Sequence, residues 1–375
     1  ASQKATTATF TGTNKIYDGG LLATVTASSG DIVGSDAVTI GWTGATFADK
    51  NVGTSKIISV AGISLSGAAS GNYALQSTSG TAVADITAAP VTVSFTAANR
   101  VYDGTVNAGV TQSATGLVAG DAVTVSWNSA AFANKNVGAT KTVTISGISL
   151  GGTDAANYAL QNSSATATAD ITVKTVTVTY TAADKIYDGS SSASVAAHVQ
   201  GLVNGDSVSL SNGAATFADK NSGVLKTVSV PSIALSGSDA GNYILTATSA
   251  TTTATITAKA LTASFTASNK TYDGTDVAIV SGSSSDIVSG DNVTISVAAA
   301  SFADKDAGGN KTVSISGIAI SGTDAGNYLL QNTSATVSAD INRRALTMTA
   351  NDAAKLLTEN DPVLTARYVG FVNGE

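Results

Sequence analysis

The side chains that could do chemistry recur at a fixed step. Asp18, Asp103, Asp188 and Asp273 stand 85 residues apart, and so do Asp36, Asp121, Asp206 and Asp291. Loop carboxylates are what calcium takes, six to eight oxygens at a time, so these eight are the metal candidates. Against that, no Asp-x-Asp-x-Asp-Gly loop occurs. Lys50, Lys135, Lys220 and Lys305 follow the next recurring polar position, 49/134/219/304. An Asp before Gly also does ordinary turn work by bonding its own backbone. Trp42 and Trp127 are the ligand-binding candidates, since an indole can stack on a sugar ring. Alternation puts Trp42 on the face of Val38 and Ile40, and Trp127 on that of Val123 and Val125, so both also read as the rim of a core. Copies three and four carry Asn212 and Val297 there.

Other constellations are excluded or thin. His198 is the single histidine and there is no cysteine, so neither a His-based triad nor a zinc site can be assembled. Lys56, Lys141, Lys226 and Lys311 could enter amide cross-links, but glutamate is absent before Glu359 and only Asp could assist; solvated ion pairs are the plainer reading. No unique cluster of acid, base and nucleophile emerges, so the chain is not expected to be an enzyme.

The elements that position these side chains repeat with them. Tyr17-Asp18-Gly19 returns as Tyr102-Asp103-Gly104, Tyr187-Asp188-Gly189 and Tyr272-Asp273-Gly274. Phe47, Phe132, Phe217 and Phe302 keep the same step, as do Tyr73, Tyr158, Tyr243 and Tyr328. The expected domains are therefore 1–88, 89–173, 174–258 and 259–343, with a partial fifth at 344–375. In the second copy Val91, Val93 and Phe95 alternate with polar residues, a half-buried strand. Asp103-Gly104 is a turn. Seven or eight short strands per copy, with a turn about every 8–12 residues, predict an antiparallel β-sandwich. Only two or three residues separate the last strand of one copy from the first of the next. Such joints favour a rod on the order of 150 Å for four copies.

Composition agrees with an all-β chain: β-branched residues dominate and strong helix formers are few. No apolar run reaches the ~20 residues of a membrane helix. A formal charge of −7 speaks against nucleic acid and anionic membranes. Without cysteine there is no disulfide framework, which suits a protein exported unfolded. The sequence reads as part of a longer chain whose export signal lies elsewhere.

Tyr-Asp-Gly, the Phe-Ala-Asp-Lys-Asn element at 47–51 and 217–221, and Gly-Asn-Tyr at 71–73, 241–243 and 326–328 resemble the YDG repeats of bacterial surface adhesins of the filamentous-haemagglutinin, two-partner-secreted type. The tail from Ala350 through Thr365 is similar to the start of a "mostly bacterial Ig-like" (MBG) domain. The sequence departs from the pattern where Ala69 replaces the Asp of 154, 239 and 324, and where Asn134 replaces the Asp of 49, 219 and 304. The resemblance implies tandem Ig-like sandwiches at the bacterial cell surface, the stalk of an extracellular adhesin serving adhesion or biofilm formation. It implies an outer-membrane secretion partner reached through other parts of the protein. Alternatives are an array binding extracellular polysaccharide with avidity from repetition, and a fibre subunit that associates with its own kind through strand edges. No cofactor is required; calcium is the one the aspartates could take.

Overall fold

The second repeat shows why these residues make strands. In the computed structural model, which describes residues 2–372, 374 and 375, it runs through nine strands: β1 (Ala89–Ala97), β2 (Arg100–Val101), β3 (Val110–Thr115), β4 (Thr124–Ser126), β5 (Ser129–Phe132), β6 (Gly138–Ser146), β7 (Ser149–Gly151), β8 (Tyr158–Leu160) and β9 (Ser164–Thr172). Along β1 burial alternates residue by residue, with Ala89, Val91, Val93 and Phe95 inward. Phe132, Val143, Ile145, Ile148, Tyr158, Ala169 and Ile171 face them and are likewise buried. Each large apolar side chain taken fully out of water contributes about 1.5–3 kcal/mol. The chain is all-β; among the described residues the only helical pieces are single 3-10 turns such as Ala155–Asn157.

The ladders are antiparallel with two exceptions. β1 pairs with β3, β4 with β7, β5 with β6, and β6 with β9, all antiparallel. β1 also pairs in parallel with β8, Ala89 opposite Tyr158, and β2 in parallel with β9, Arg100 opposite Ile171. These parallel pairs depart from the purely antiparallel expectation. They need no helical crossover because they set the first two strands, β1 and β2, beside the last two, β8 and β9, with the rest of the repeat as the connection. Parallel first and last strands deliver the chain to the far end, which tandem connection requires. One residue, Val173, separates β9 from the next strand at Lys174.

By packing, the chain divides into two units that do not follow the repeat boundaries. One comprises Ala1–Thr175, Val203–Ser207 and Ser238–Ile244; the other comprises Val176–Leu202, Val208–Gly237 and Leu245–Glu375. The first thus takes two loops from the third repeat. In the second unit one apolar cluster runs without a break from Tyr180 and Tyr187 to Tyr328 and Ile341. In the tail, Thr347–Ala350 pairs antiparallel with Ala366–Val369. Among the described residues no helix is long and apolar enough to cross a membrane.

Candidate functional site at the repeat joints

The Tyr-Asp-Gly turn is positioned by its own side chains. Asp103 Oδ1 accepts the Thr105 N–H at 2.8 Å, and Arg100 donates to Asp103 Oδ2 at 2.7 Å. Lys15, Lys185 and Lys270 do the same for Asp18, Asp188 and Asp273. The first of these carboxyls sits below the usual carboxylate range because Lys15 and the Gly20 N–H both donate to Asp18; Asp273, bonded by Lys270 and the Thr275 N–H, falls to about 2. Gly104 takes φ +82°, open to glycine at little cost. It has a second duty as well. A Cβ on it would stand 2.7 Å from a Val203 methyl of the next repeat. Gly19 and Gly189 stand likewise against Val118 and Val288, at 2.8 Å each.

The other aspartate set lies at the centre of these joints. At the first, the Tyr17 hydroxyl reaches across from repeat one and donates to Asp121 Oδ2 at 2.7 Å. Tyr158 of Asp121's own repeat donates to the same oxygen at 2.5 Å. Lys50, again from repeat one, donates to Asp121 Oδ1 at 2.7 Å and lies 3.5 Å from Asp154. The two tyrosine rings meet edge to face at 5.4 Å. Asn157, itself buried, accepts the Val52 N–H at 2.9 Å through its side-chain oxygen. The other two joints repeat the arrangement. Tyr102, Tyr243 and Lys135 converge on Asp206, with Asn242 capping Val137. Tyr187, Tyr328 and Lys220 converge on Asp291, with Asn327 capping Ser222.

The electrostatics follow from the geometry. Lys50 first, and Tyr158 with it, hold the Asp121 carboxyl at about 2 despite its burial. Burial, then Asp121, pushes the Tyr158 hydroxyl up to about 12. Asp121 raises the Lys50 ammonium in turn. The Asp121 side chain is 4% exposed, and those of Asp206 and Asp291 are 3%. A buried carboxylate with every oxygen engaged rigidifies its surroundings; one left unpaired would be costly. The arrangement binds one repeat to the next in a single register.

The candidate residues are therefore separated rather than gathered. Asp18 and its equivalents cap their own turns, while Asp121, Asp206 and Asp291 hold joints with a lysine ammonium where a cation would sit. The Asp36 carboxylate takes only the Tyr73 hydroxyl, at 2.6 Å, among the contacts described for it. Among the described residues no three His, Cys, Asp or Glu side chains cluster as a metal site needs. Trp42 packs edge-on against Phe10 at 5.7 Å, and Trp127 against Phe95 at 5.3 Å. His198 is exposed on a strand opposite Thr179. Lys56 pairs with Asp49, and Lys141 finds Asn134 at 2.7 Å in the same loop, so the amide takes over as acceptor where the carboxylate is missing. Sequence reasoning missed the joint roles of Lys50, Asp154 and Asn157; their 85-residue recurrence was the available signal.

A family model described as the YDG domain matches residues 2–80, 87–168, 172–253 and 257–336. No curated protein matches the chain. Among solved structures, Drosophila N-cadherin EC1-4 aligns at 10% identity over 92% of this chain and all of its own, with a TM-score of 0.25. Sidekick-1 immunoglobulin domains 1-5 align at 11% identity over 91% of this chain and 79% of that one, TM-score 0.22. The N-terminal four Ig domains of Dscam1 isoform 7.44 align at 12% identity over 92% and 100%, TM-score 0.17. Likenesses at these scores decide nothing about what this chain binds.

Proposed function

The chain belongs to the YDG domain family, in tandem copies, and on that premise we propose that it is the stalk of an extracellular bacterial adhesin, a mechanical spacer that carries a binding region away from the cell. The observation that carries this reading is the clasp: one buried aspartate takes two tyrosine hydroxyls and a lysine from both sides of each joint. A flexible tether has no use for such a device. A spacer does, because bending at a joint must break a charge-assisted network in a water-poor setting. The role is mechanical and assigns the chain no catalysis. Thr, Ser, Gly and Ala on the outer faces and a net charge of −7 suit a secreted, solvent-facing spacer.

Small-angle scattering tests it. A rod of about 150 Å has a radius of gyration of about 43 Å, whereas a compact chain of this length has about 21 Å. The larger value supports the spacer, and the smaller one sinks it. Labelling of intact cells of the source organism by an antibody to residues 89–173 checks the location; labelling only after permeabilisation overturns it. The polysaccharide-array reading is weakly served by the tryptophans: Trp42 is exposed, but both pack edge-on against phenylalanines and two copies have none.

A further inference from the structure

The family match stops at residue 336, yet the chain beyond it takes hold of the fourth repeat in the manner of another repeat. Tyr272 and Lys305 are the counterparts of Tyr17 and Lys50. Both donate to the Glu375 side chain. The acid lies 103 residues after the tyrosine and 70 after the lysine, where the repeats have 104 and 71. Glutamate replaces aspartate, with one more methylene on a chain one residue shorter.

The described residues around the acid match as well. Gly370-Phe371-Val372 precedes Gly374-Glu375 as Gly116-Leu117-Val118 precedes Gly120-Asp121. The Glu375 N–H donates to the Val372 carbonyl at 3.2 Å, as Asp121 does to Val118 at 3.3 Å. Gly370 and Gly374 take φ +128° and +78°, in the region Gly116 and Gly120 occupy at +97° and +92°.

We infer that the C-terminal end of a YDG repeat is a general socket for an acidic hook: its tyrosine and lysine recognise a following β-module through a Val-x-Gly-acid turn, as at Val118–Asp121, Val203–Asp206, Val288–Asp291 and Val372–Glu375, whether or not that module is a YDG repeat. The partner class is a β-hairpin module bearing that turn. Arrays of mixed modules then join without a dedicated adaptor.

Hydrogen exchange of the whole chain, read by mass spectrometry over the tail hairpin 347–369, tests the inference. E375Q keeps the shape and removes the charge, and K305M removes the socket's cation; each should speed exchange of the hairpin amides about tenfold. E375D should stay within about twofold of wild type, as should D291E over the third joint. Wild-type exchange in both E375Q and K305M would overturn the inference, because the contact would then hold nothing. E375D as fast as E375Q would overturn it too, because the socket would be reading the length of one side chain rather than an acid.

Discussion

Asp36 and Asp121 occupy the same position of successive repeats, in the same kind of turn, and each accepts a hydroxyl from the tyrosine 37 residues further on. Asp36 is exposed, with no tyrosine or lysine from another repeat upon it in the contacts described. Asp121 has both, and its side chain is 4% exposed. The neighbouring residues differ in step: Asp154 supports the lysine at the joint, while its equivalent beside Asp36 is Ala69. The contrast teaches that burial here is a property of the joint and not of the repeat. One residue type in one local fold is the pivot of a clasp where a neighbouring repeat's tyrosine and lysine reach it, and exposed where none of the described residues does.

The sharpest way to break the comparison is to neutralise both acids. D121N should cost about 2–3 kcal/mol, since a buried acceptor of three donors loses its charge and its ammonium partner is stranded. D36N should leave the melting temperature within about 1 °C. Calorimetry of the two variants decides it; equal shifts would mean the joint adds nothing.

Acid should act in the same way without mutation. The Asp121 carboxyl titrates at about 2 when folded against 3.8 unfolded. Between those values the unfolded chain binds more protons, so the stabilisation is complete above about pH 4 and is lost as pH falls through 2, about 2 kcal/mol in all. The Tyr158 hydroxyl works in the opposite direction. Its stabilisation is present below pH 10 and is lost as pH rises through about 12. Thermal melts across pH 2–5 should show the acid loss, and D121N should flatten it.

Glycines sharpen the comparison between turn and joint. Gly104 and Gly120 both have positive φ, but only Gly104 has the next repeat against it; nothing lies within 4 Å of a Cβ on Gly120. Backbone strain alone should make G120A cost about 1 kcal/mol. G104A adds the Val203 contact and should cost about 1–2 kcal/mol more. Urea melts giving equal costs would assign Gly104 to its turn alone. The smallest effect expected is at Arg100, whose guanidinium lies over Phe132 where other repeats place a lysine over phenylalanine. Its Nε is buried without a hydrogen-bond partner. R100K relieves that atom while keeping the turn's cation, so its urea midpoint should match or slightly exceed wild type, by up to about 0.5 kcal/mol.

Much of the repeat was legible beforehand. The alternation of Val91, Val93 and Phe95 became the buried face of β1, and Asp103-Gly104 became a turn, because strand period and turn chemistry are local and hold in any context. Tyr158 was legible as a core residue with a satisfied hydroxyl, although that hydroxyl takes the Val118 N–H and gives its proton to Asp121. The parallel pairing of β1 with β8 was not legible, because it depends on where the chain must leave the repeat.

The composition and 85-residue step by themselves determined an all-β chain of four equivalent repeats, and which residues recur in each. They did not determine partners across a joint. In a chain with that period, Tyr17 stands 19 residues before Asp36 and 104 before Asp121, and the two relations differ by one whole repeat. Periodicity therefore names a partner only to within a multiple of 85. Tertiary structure chose the acid of the next repeat. The tyrosine lies at the end of its own repeat where the following turn arrives, and a carboxylate becomes a buried acceptor only when donors from two sides close over it.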